Sequence, residues 1–199
     1  MREMSRAPHD HLHHIAQVVE AAVAAAEGLK PDHIMVVGAW CRDILHNSLG
    51  RTFPTAATRD LDLALALSSW DAYRALAASF RRAGNTGIRS RIAGENVDLP
   101  PFGSVENPDG VVSPPSRGEP FNVWAFEEIF ASSLPLALTD TLSIRIPTVE
   151  GYRRRQAWCV ARSVAVARGK GCRRLGARHL LVRRAPGRSG PAIRHSGRQ

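Results

Sequence analysis

The fold is decided by Thr58-Arg59-Asp60-Leu61-Asp62-Leu63-Ala64-Leu65-Ala66-Leu67, where leucine alternates first with aspartate and then with alanine. A period of two predicts a β-strand, because successive side chains of a strand point to opposite faces. The leucine face of this strand can pack against helices. The other face carries Asp60 and Asp62, followed by alanines that are too small to block access to the two carboxylates.

Asp60 and Asp62 place two like charges side by side on one face of the predicted strand. Neighbouring carboxylates disfavour each other's ionisation unless a cation lies between them. Mg²⁺ is the natural cation for such a pair, because it prefers oxygen ligands. The pair therefore predicts a magnesium site, with two solvated acids at a strand end as the alternative.

Charge divides the chain into two parts. Residues 1–150 contain 13 Lys and Arg against 18 Asp and Glu, whereas residues 151–199 contain 14 Lys and Arg and no acid, giving +9 overall. We therefore expect one domain over residues 1–150, followed by an Arg-rich and disordered tail over residues 151–199.

The lack of a recognisable targeting signal and the irregular cysteine spacing favour a cytoplasmic protein. Cys41, Cys159 and Cys172 follow no regular spacing, so neither a disulfide framework nor a zinc site is predicted. The most apolar early run, residues 21–26, is too short to cross a membrane, and no signal-peptide pattern is present. We expect no membrane partner.

Patterning elsewhere predicts an α+β fold in which helices flank a mixed β-sheet. Before the aspartate strand, it predicts a helix ending at Gly28, a buried strand at 33–37 and a helix beginning after Gly38. After that strand, it predicts a helix at 70–82 capped by Ser68 or Ser69, hairpin strands at 88–92 and 95–99, a surface loop at 100–115, a strand at 121–124, a helix at 127–131, strands at 134–138 and 142–146, and a helix capped by Thr148.

Gly38 stands between a predicted strand and a predicted helix, where glycine lets the backbone approach a ligand closely. Free N–H groups at the helix start, from Ala39 onward, suit a phosphate. Arg42 in the first turn could grip a triphosphate, and Arg59 is a further nucleotide-binding candidate. The alternative is an ordinary turn with a surface Arg42–Asp43 pair.

Asp98 is a candidate third carboxylate, because it faces away from Val97 and Leu99 on the second hairpin strand. It joins Asp60 and Asp62 if that strand lies beside theirs. Three carboxylates can hold two Mg²⁺ ions, which neutralise a triphosphate, orient an attacking hydroxyl and stabilise pyrophosphate. The pattern therefore predicts nucleotidyl transfer, with the three aspartates as metal ligands and catalytic residues.

Four segments carry a family resemblance: Val36-Val37-Gly38, Thr58-Arg59-Asp60-Leu61-Asp62-Leu63, Val97-Asp98-Leu99-Pro100-Pro101-Phe102-Gly103 and Ile146-Pro147-Thr148-Val149-Glu150. Through them, residues 10–150 resemble the nucleotidyltransferase superfamily, and within it the AbiEii-type toxins of bacterial abortive-infection and toxin–antitoxin systems. The resemblance implies a nucleotidyltransferase fold, Mg²⁺ at Asp60 and Asp62 assisted by Asp98, and an NTP donor. It also implies an acceptor that can be a tRNA end and a cognate antitoxin as partner.

Two departures from the family keep alternatives open. Gly38-Ala39 replaces the usual Gly-Gly or Gly-Ser turn, and Arg42-Asp43 is similar to the Gly-Gly-x-x-Arg-Asp turn of tRNA CCA-adding enzymes and poly(A) polymerases. A CCA-adding-like enzyme is therefore one alternative. A non-catalytic nucleic-acid-binding protein, with a degenerate transferase core and a basic arm, is another.

The resemblance ends at Gly151, where the family continues with a lysine-bearing helix and then an acidic helix that completes the nucleotide pocket. Residues 151–199 have three interpretations: a basic arm that binds nucleic acid through counterion release, a solvated tail, or the product of a shifted reading frame in an inactivated protein. We favour the third, because back-translating residues 153–184 with free synonymous codons and one nucleotide dropped permits a lysine-bearing, acidic and amphipathic sequence.

The shifted-frame hypothesis makes a direct prediction about the coding DNA. We expect a single-nucleotide shift near codon 152 to open a frame that encodes a lysine-bearing helix followed by acidic residues. Sequencing the gene checks this expectation. If no such frame exists there, the hypothesis is wrong.

Overall fold

The computed structural model describes residues 7–51, 60–115 and 117–157. All of these residues belong to one compact unit. Arg59 and residues 158–199 lie outside the described residues, so the predictions made for Arg59 and for disorder in the tail stay predictions.

A mixed seven-stranded sheet combined with helices forms the fold, which confirms the predicted mixed sheet. Its strands are β1 (Ile34–Val37), β2 (Asp60–Leu67), β3 (Arg89–Ile92), β4 (Glu95–Asp98), β5 (Pro101–Gly103), β8 (Leu134–Ala137) and β9 (Ser143–Ile146). They run in the order β3-β4-β2-β1-β9-β8, and β5 also pairs with β2. A separate two-stranded sheet consists of β6 (Val111–Val112) and β7 (Phe121–Asn122).

The helices are α1 (Ala7–Ala25), α2 (Gly38–Ser48), α3 (Trp70–Ser79) and α4 (Phe126–Ala131), and residues 149–157 are also helical. Two predicted caps are confirmed. Ser69 Oγ accepts a hydrogen bond from the backbone N–H of Asp71 at 3.3 Å, and Thr148 Oγ1 accepts one from Gly151 at 3.1 Å. None of the helices in the described ranges is long and apolar enough to cross a membrane.

Strand β2 ends at Leu67 and has the two faces that its alternating sequence predicts, whereas residues 58 and 59 of the predicted stretch lie outside the described residues. Leu61, Leu63 and Leu65 are fully buried, in the same apolar core as α1 residues Val18 and Val19. Burial of this leucine face fixes the register, because a slip of one residue would turn the leucines out and the aspartates in.

The predicted hairpin is confirmed, and it lies next to β2. Ala93 and Gly94 both have positive φ, 49° and 84°, as a two-residue turn of type I′ requires. Strand β4 then runs parallel to β2 with Asp98 opposite Asp62. On the other side of β2, β1 is antiparallel and places Val37 opposite Asp62.

The prediction of a surface loop at residues 100–115 is wrong, because this segment includes strands β5 and β6. Phe102 is almost fully buried, and its ring centroid lies 5.7 Å from that of Phe126 and 5.3 Å from that of Phe130. Pro100, two residues before Phe102, still accepts a sheet hydrogen bond, since Leu65 N donates to Pro100 O at 3.0 Å. The proline-rich composition is typical of a loop, but the contacts of Phe102 with the two other aromatic rings stabilise a strand here.

Candidate functional site

The three predicted carboxylates meet where β1 and β4 end and β2 begins. Asp62 lies opposite Asp98 across the parallel β2–β4 pair, and Asp60 shares the face of Asp62 because it is two residues earlier on the strand. The structure therefore brings Asp98 beside the other two aspartates, as the sequence predicted for neighbouring strands.

Gly38 is required at this site by the side chain of Asp62. Its φ is +65°, in the left-handed region that favours glycine. A Cβ atom at this position would overlap Asp62 Oδ2 and lie 2.9 Å from Asp62 Cγ. The glycine thus allows the turn to pass directly over the carboxylate, whereas its predicted contact with a phosphate stays a prediction.

Arg89 on β3 is the site residue that the sequence interpretation missed. Its guanidinium forms a two-pronged ion pair with Asp98, in which Nε to Oδ1 and Nη2 to Oδ2 are both 2.8 Å. Nη2 also lies 2.8 Å from Asp60 Oδ2. The hydrogen bonds to Asp98 raise the pKa of Arg89, so the guanidinium keeps its charge.

A sequence signal for Arg89 did exist. The Ala93-Gly94 turn sets a hairpin register in which Arg89 lies directly opposite Asp98. Opposite charges facing each other across two strands attract, so the pair could have been predicted once the turn was recognised.

Asp62 lacks a hydrogen-bond partner among the described residues, although it is largely buried. Burial raises its pKa from 3.8 to about 6, and the negative charges of Asp98 and Asp60 add to that rise, whereas Arg89 opposes it. A carboxylate in this environment is stabilised by any added positive charge.

The carboxylate oxygens of the site suit a divalent cation, although the Arg89 guanidinium already contacts two of the three aspartates. No three His, Cys, Asp or Glu side chains in the described part of the chain are arranged as a metal site. Carboxylate oxygens are nevertheless the ligands that Mg²⁺ prefers. Among the described residues no cation is hydrogen-bonded to Asp62, and Arg89 lies where a cation would contact Asp60 and Asp98. The residues present therefore fit Mg²⁺.

A cavity of about 290 Å³ opens beside the carboxylates. Gly38, Asp62 and Asp98 line it together with aromatic side chains such as Phe121 and Phe126. Such a combination of apolar walls with a few polar groups is typical of a small-molecule site.

Three lining residues lie beyond residue 150, namely Tyr152, Arg155 and Gln156. The Arg155 guanidinium carbon is 4.7 Å from the centroid of the Phe126 ring, a cation–π contact. Burial raises the pKa of Tyr152. The sequence interpretation missed these residues because it placed the domain boundary at residue 150. The run Arg153-Arg154-Arg155 looked like the start of a basic tail.

The other predicted nucleotide-binding residues lie differently. Arg42 Nε pairs with Asp43 Oδ1 at 2.9 Å, as in the alternative interpretation of this turn. Neither Ala39 nor Arg42 is among the described residues that line the cavity. Their contact with a triphosphate stays a prediction.

Comparison with known proteins gives no match. No protein-family model matches the chain, and no significant similarity to a curated protein or to a solved structure is found. The family resemblance of the sequence motifs therefore stays a prediction. What the site can do must be inferred from its own carboxylates, the Gly38 turn and the cavity.

Proposed function

We propose that this protein has a nucleotidyltransferase fold and is a Mg²⁺-dependent enzyme that moves an NMP from an NTP to an acceptor hydroxyl. The observation that carries the proposal is that Gly38, Asp62 and Asp98 share the wall of one cavity with aromatic side chains. A nucleotide needs both kinds of lining residue, since its triphosphate is charged and its base is flat and weakly polar.

Asp60 and Asp62 would hold the metal, with Asp98 assisting. When bound, Mg²⁺ supplies the positive charge that neutralises the triphosphate and the leaving pyrophosphate. Asp62 is suited to this role because its pKa of about 6 leaves it ionised at neutral pH in a part-buried place. Gly38 would allow the triphosphate to pass close to the backbone.

The aromatic and amide side chains of the cavity wall would bind the base and exclude water from it. Phe121 and Tyr152 offer aromatic surface, on which a base can stack. Asn122 and Gln156 line the same cavity, and their amide groups can both donate and accept hydrogen bonds to base or ribose. These side chains would therefore position the donor nucleotide.

An RNA acceptor, such as a tRNA end, is supported by the charge of the chain. In the basic-arm interpretation of residues 151–199, their 14 Lys and Arg and their lack of acid attract this segment to phosphate backbones. The same charge favours a second candidate function, non-catalytic RNA binding through a basic arm. A toxin-like role in the bacterial cytoplasm, with a cognate antitoxin, is the biological setting that the motif resemblance implies.

Transfer of radiolabel from NTPs tests the proposal. We expect the full-length protein to label RNA, tRNA included, from at least one α-labelled ribonucleoside triphosphate in the presence of Mg²⁺, because carboxylates and aromatic side chains line the same cavity. A chelator should abolish the signal. If folded protein labels neither RNA nor protein with any NTP, the transferase proposal is wrong.

Deletion of residues 160–199 distinguishes the two candidates and keeps every described residue that lines the cavity. RNA binding that is salt-sensitive and lost on deletion, with no turnover in either form, would favour the basic arm. Labelling that survives the deletion would favour the enzyme.

A further inference from the structure

Arg89 joins two of the three carboxylates that the proposed metal would need. It holds Asp98 through both carboxylate oxygens and Asp60 through one, with all three distances at 2.8 Å. These contacts connect β3 to both β4 and β2, because Arg89 lies opposite Asp98 and β2 lies on the other side of β4.

We propose that Arg89 is a built-in counter-ion that competes with divalent metal for Asp60, so that metal binding requires the guanidinium to leave this carboxylate. This inference rests on the metal site of the proposed function. Two cations cannot share Asp60 Oδ2 without strong repulsion, since like charges a few ångströms apart in a part-buried site repel strongly.

The two contacts of Arg89 are unequal, which sets the order in which they break. The pair with Asp98 is two-pronged, and the Asp98 side chain is only 16% exposed. The contact with Asp60 is single, and that side chain is 35% exposed. A two-pronged ion pair is the stronger of the two, so the guanidinium leaves Asp60 first and stays on Asp98.

Asp98 is then a positioning residue that holds Arg89, while Asp60 and Asp62 take the metal. The released guanidinium remains beside the metal, where an incoming triphosphate offers it new oxygen partners. Metal alone must therefore displace Arg89 without compensation, whereas metal arriving with an NTP need not. This coupling makes metal binding weak in the absence of nucleotide.

Equilibrium Mn²⁺ binding by the full-length protein without nucleotide, followed by the electron paramagnetic resonance signal of free Mn²⁺, tests the inference. We expect Arg89→Gln to bind Mn²⁺ at the site about tenfold more tightly than wild type, because both the competitor and its charge are gone. Asp62→Asn measures Mn²⁺ binding at any other place on the protein, and this background is subtracted.

Arg91→Gln is the matched control, because it removes the same charge from the same strand. Arg91 is exposed. Among the described residues, its side chain forms one contact with a side chain of the neighbouring strand, a long hydrogen bond of 3.5 Å to Asn96. Its loss is expected to change the Mn²⁺ dissociation constant by no more than about twofold, since exposed charges are well screened.

Arg89→Lys is a second variant that tests the inference even if Arg89→Gln fails to fold. Lysine keeps the charge, but its single ammonium lacks the planar fork that spans both aspartates, so Mn²⁺ affinity should lie between those of wild type and Arg89→Gln. The inference is overturned if neither variant binds Mn²⁺ more tightly than wild type and Arg91→Gln. If no Asp62-dependent Mn²⁺ binding is found in any form, the proposed metal site itself is wrong as well.

Discussion

Asp62→Asn is expected to lower NTP-dependent labelling by about 10³-fold or more, while making the metal-free protein more stable. The carboxylate is a proposed metal ligand, and losing several kcal/mol of transition-state stabilisation corresponds to a rate loss of about that size. An amide has nearly the same shape but no charge to offer the metal. Initial rates with saturating Mg²⁺ and NTP measure the loss.

The stability gain follows from the raised pKa of Asp62. Because its pKa is about 6 in the folded protein and 3.8 ordinarily, the folded state binds the proton more tightly than the unfolded state. The free energy of unfolding therefore falls as pH rises through this window, and the full cost is present above about pH 6. Asparagine removes that cost, so the variant should be more stable by about 3 kcal/mol at about pH 8 and show little gain near pH 4.

Urea denaturation in chelator at both pH values measures this difference. Asp140→Asn is the control, since Asp140 is exposed and lies outside the group of carboxylates; it should change neither labelling nor stability. Equal stability of Asp62→Asn and wild type at high pH would show that the Asp62 carboxylate is not strained by burial. Labelling within about tenfold of wild type would contradict its role as a metal ligand.

Gly38→Ala is expected to destabilise the protein by about 3 kcal/mol, through backbone strain and overlap with the Asp62 side chain. The φ of +65° alone costs an alanine about 1 kcal/mol. The remainder arises because the new Cβ overlaps Asp62 Oδ2 and approaches Cγ to 2.9 Å, so the carboxylate has to move. Since Asp62 is displaced, labelling should fall together with stability. Urea denaturation and labelling rates measure the two effects.

Two comparisons separate strain from overlap. Gly28 also has a positive φ, +84°, and a Cβ there would meet nothing within 4 Å, so Gly28→Ala should show only the strain of about 1 kcal/mol. In an Asp62→Ala background the overlapping atoms are absent, and Gly38→Ala should cost much less than in wild type. The same cost in both backgrounds would contradict the proposed contact between Gly38 and Asp62.

Local patterns predicted the elements around the site. Strand β2 forms over Asp60–Leu67 because its alternating leucines are buried on one face of an extended chain. The hairpin forms around Ala93-Gly94 because that turn needs two positive φ angles. Ser69 and Thr148 cap their helices as their side chains predict. In each case the signal lies within a few residues of the structure that it determines.

Contacts between distant segments could not be predicted in this way. Phe102 belongs to a strand because it packs on the rings of Phe126 and Phe130, more than twenty residues away. Tyr152 and Arg155 face the same cavity as Gly38 only because the 149–157 helix returns to the sheet. Composition alone assigned the first segment to a loop and the second to a basic tail.

The sequence by itself determined that Asp60 and Asp62 share one face of a strand, since a period of two permits no other arrangement when the leucines are buried. Only the tertiary structure decided what surrounds them. Pairing of β4 with β2 brings Asp98, and with it Arg89, onto the aspartates. A cation for Asp60 and Asp98 is thus already present as the Arg89 guanidinium, because strand pairing rather than local sequence selects a carboxylate's nearest charge.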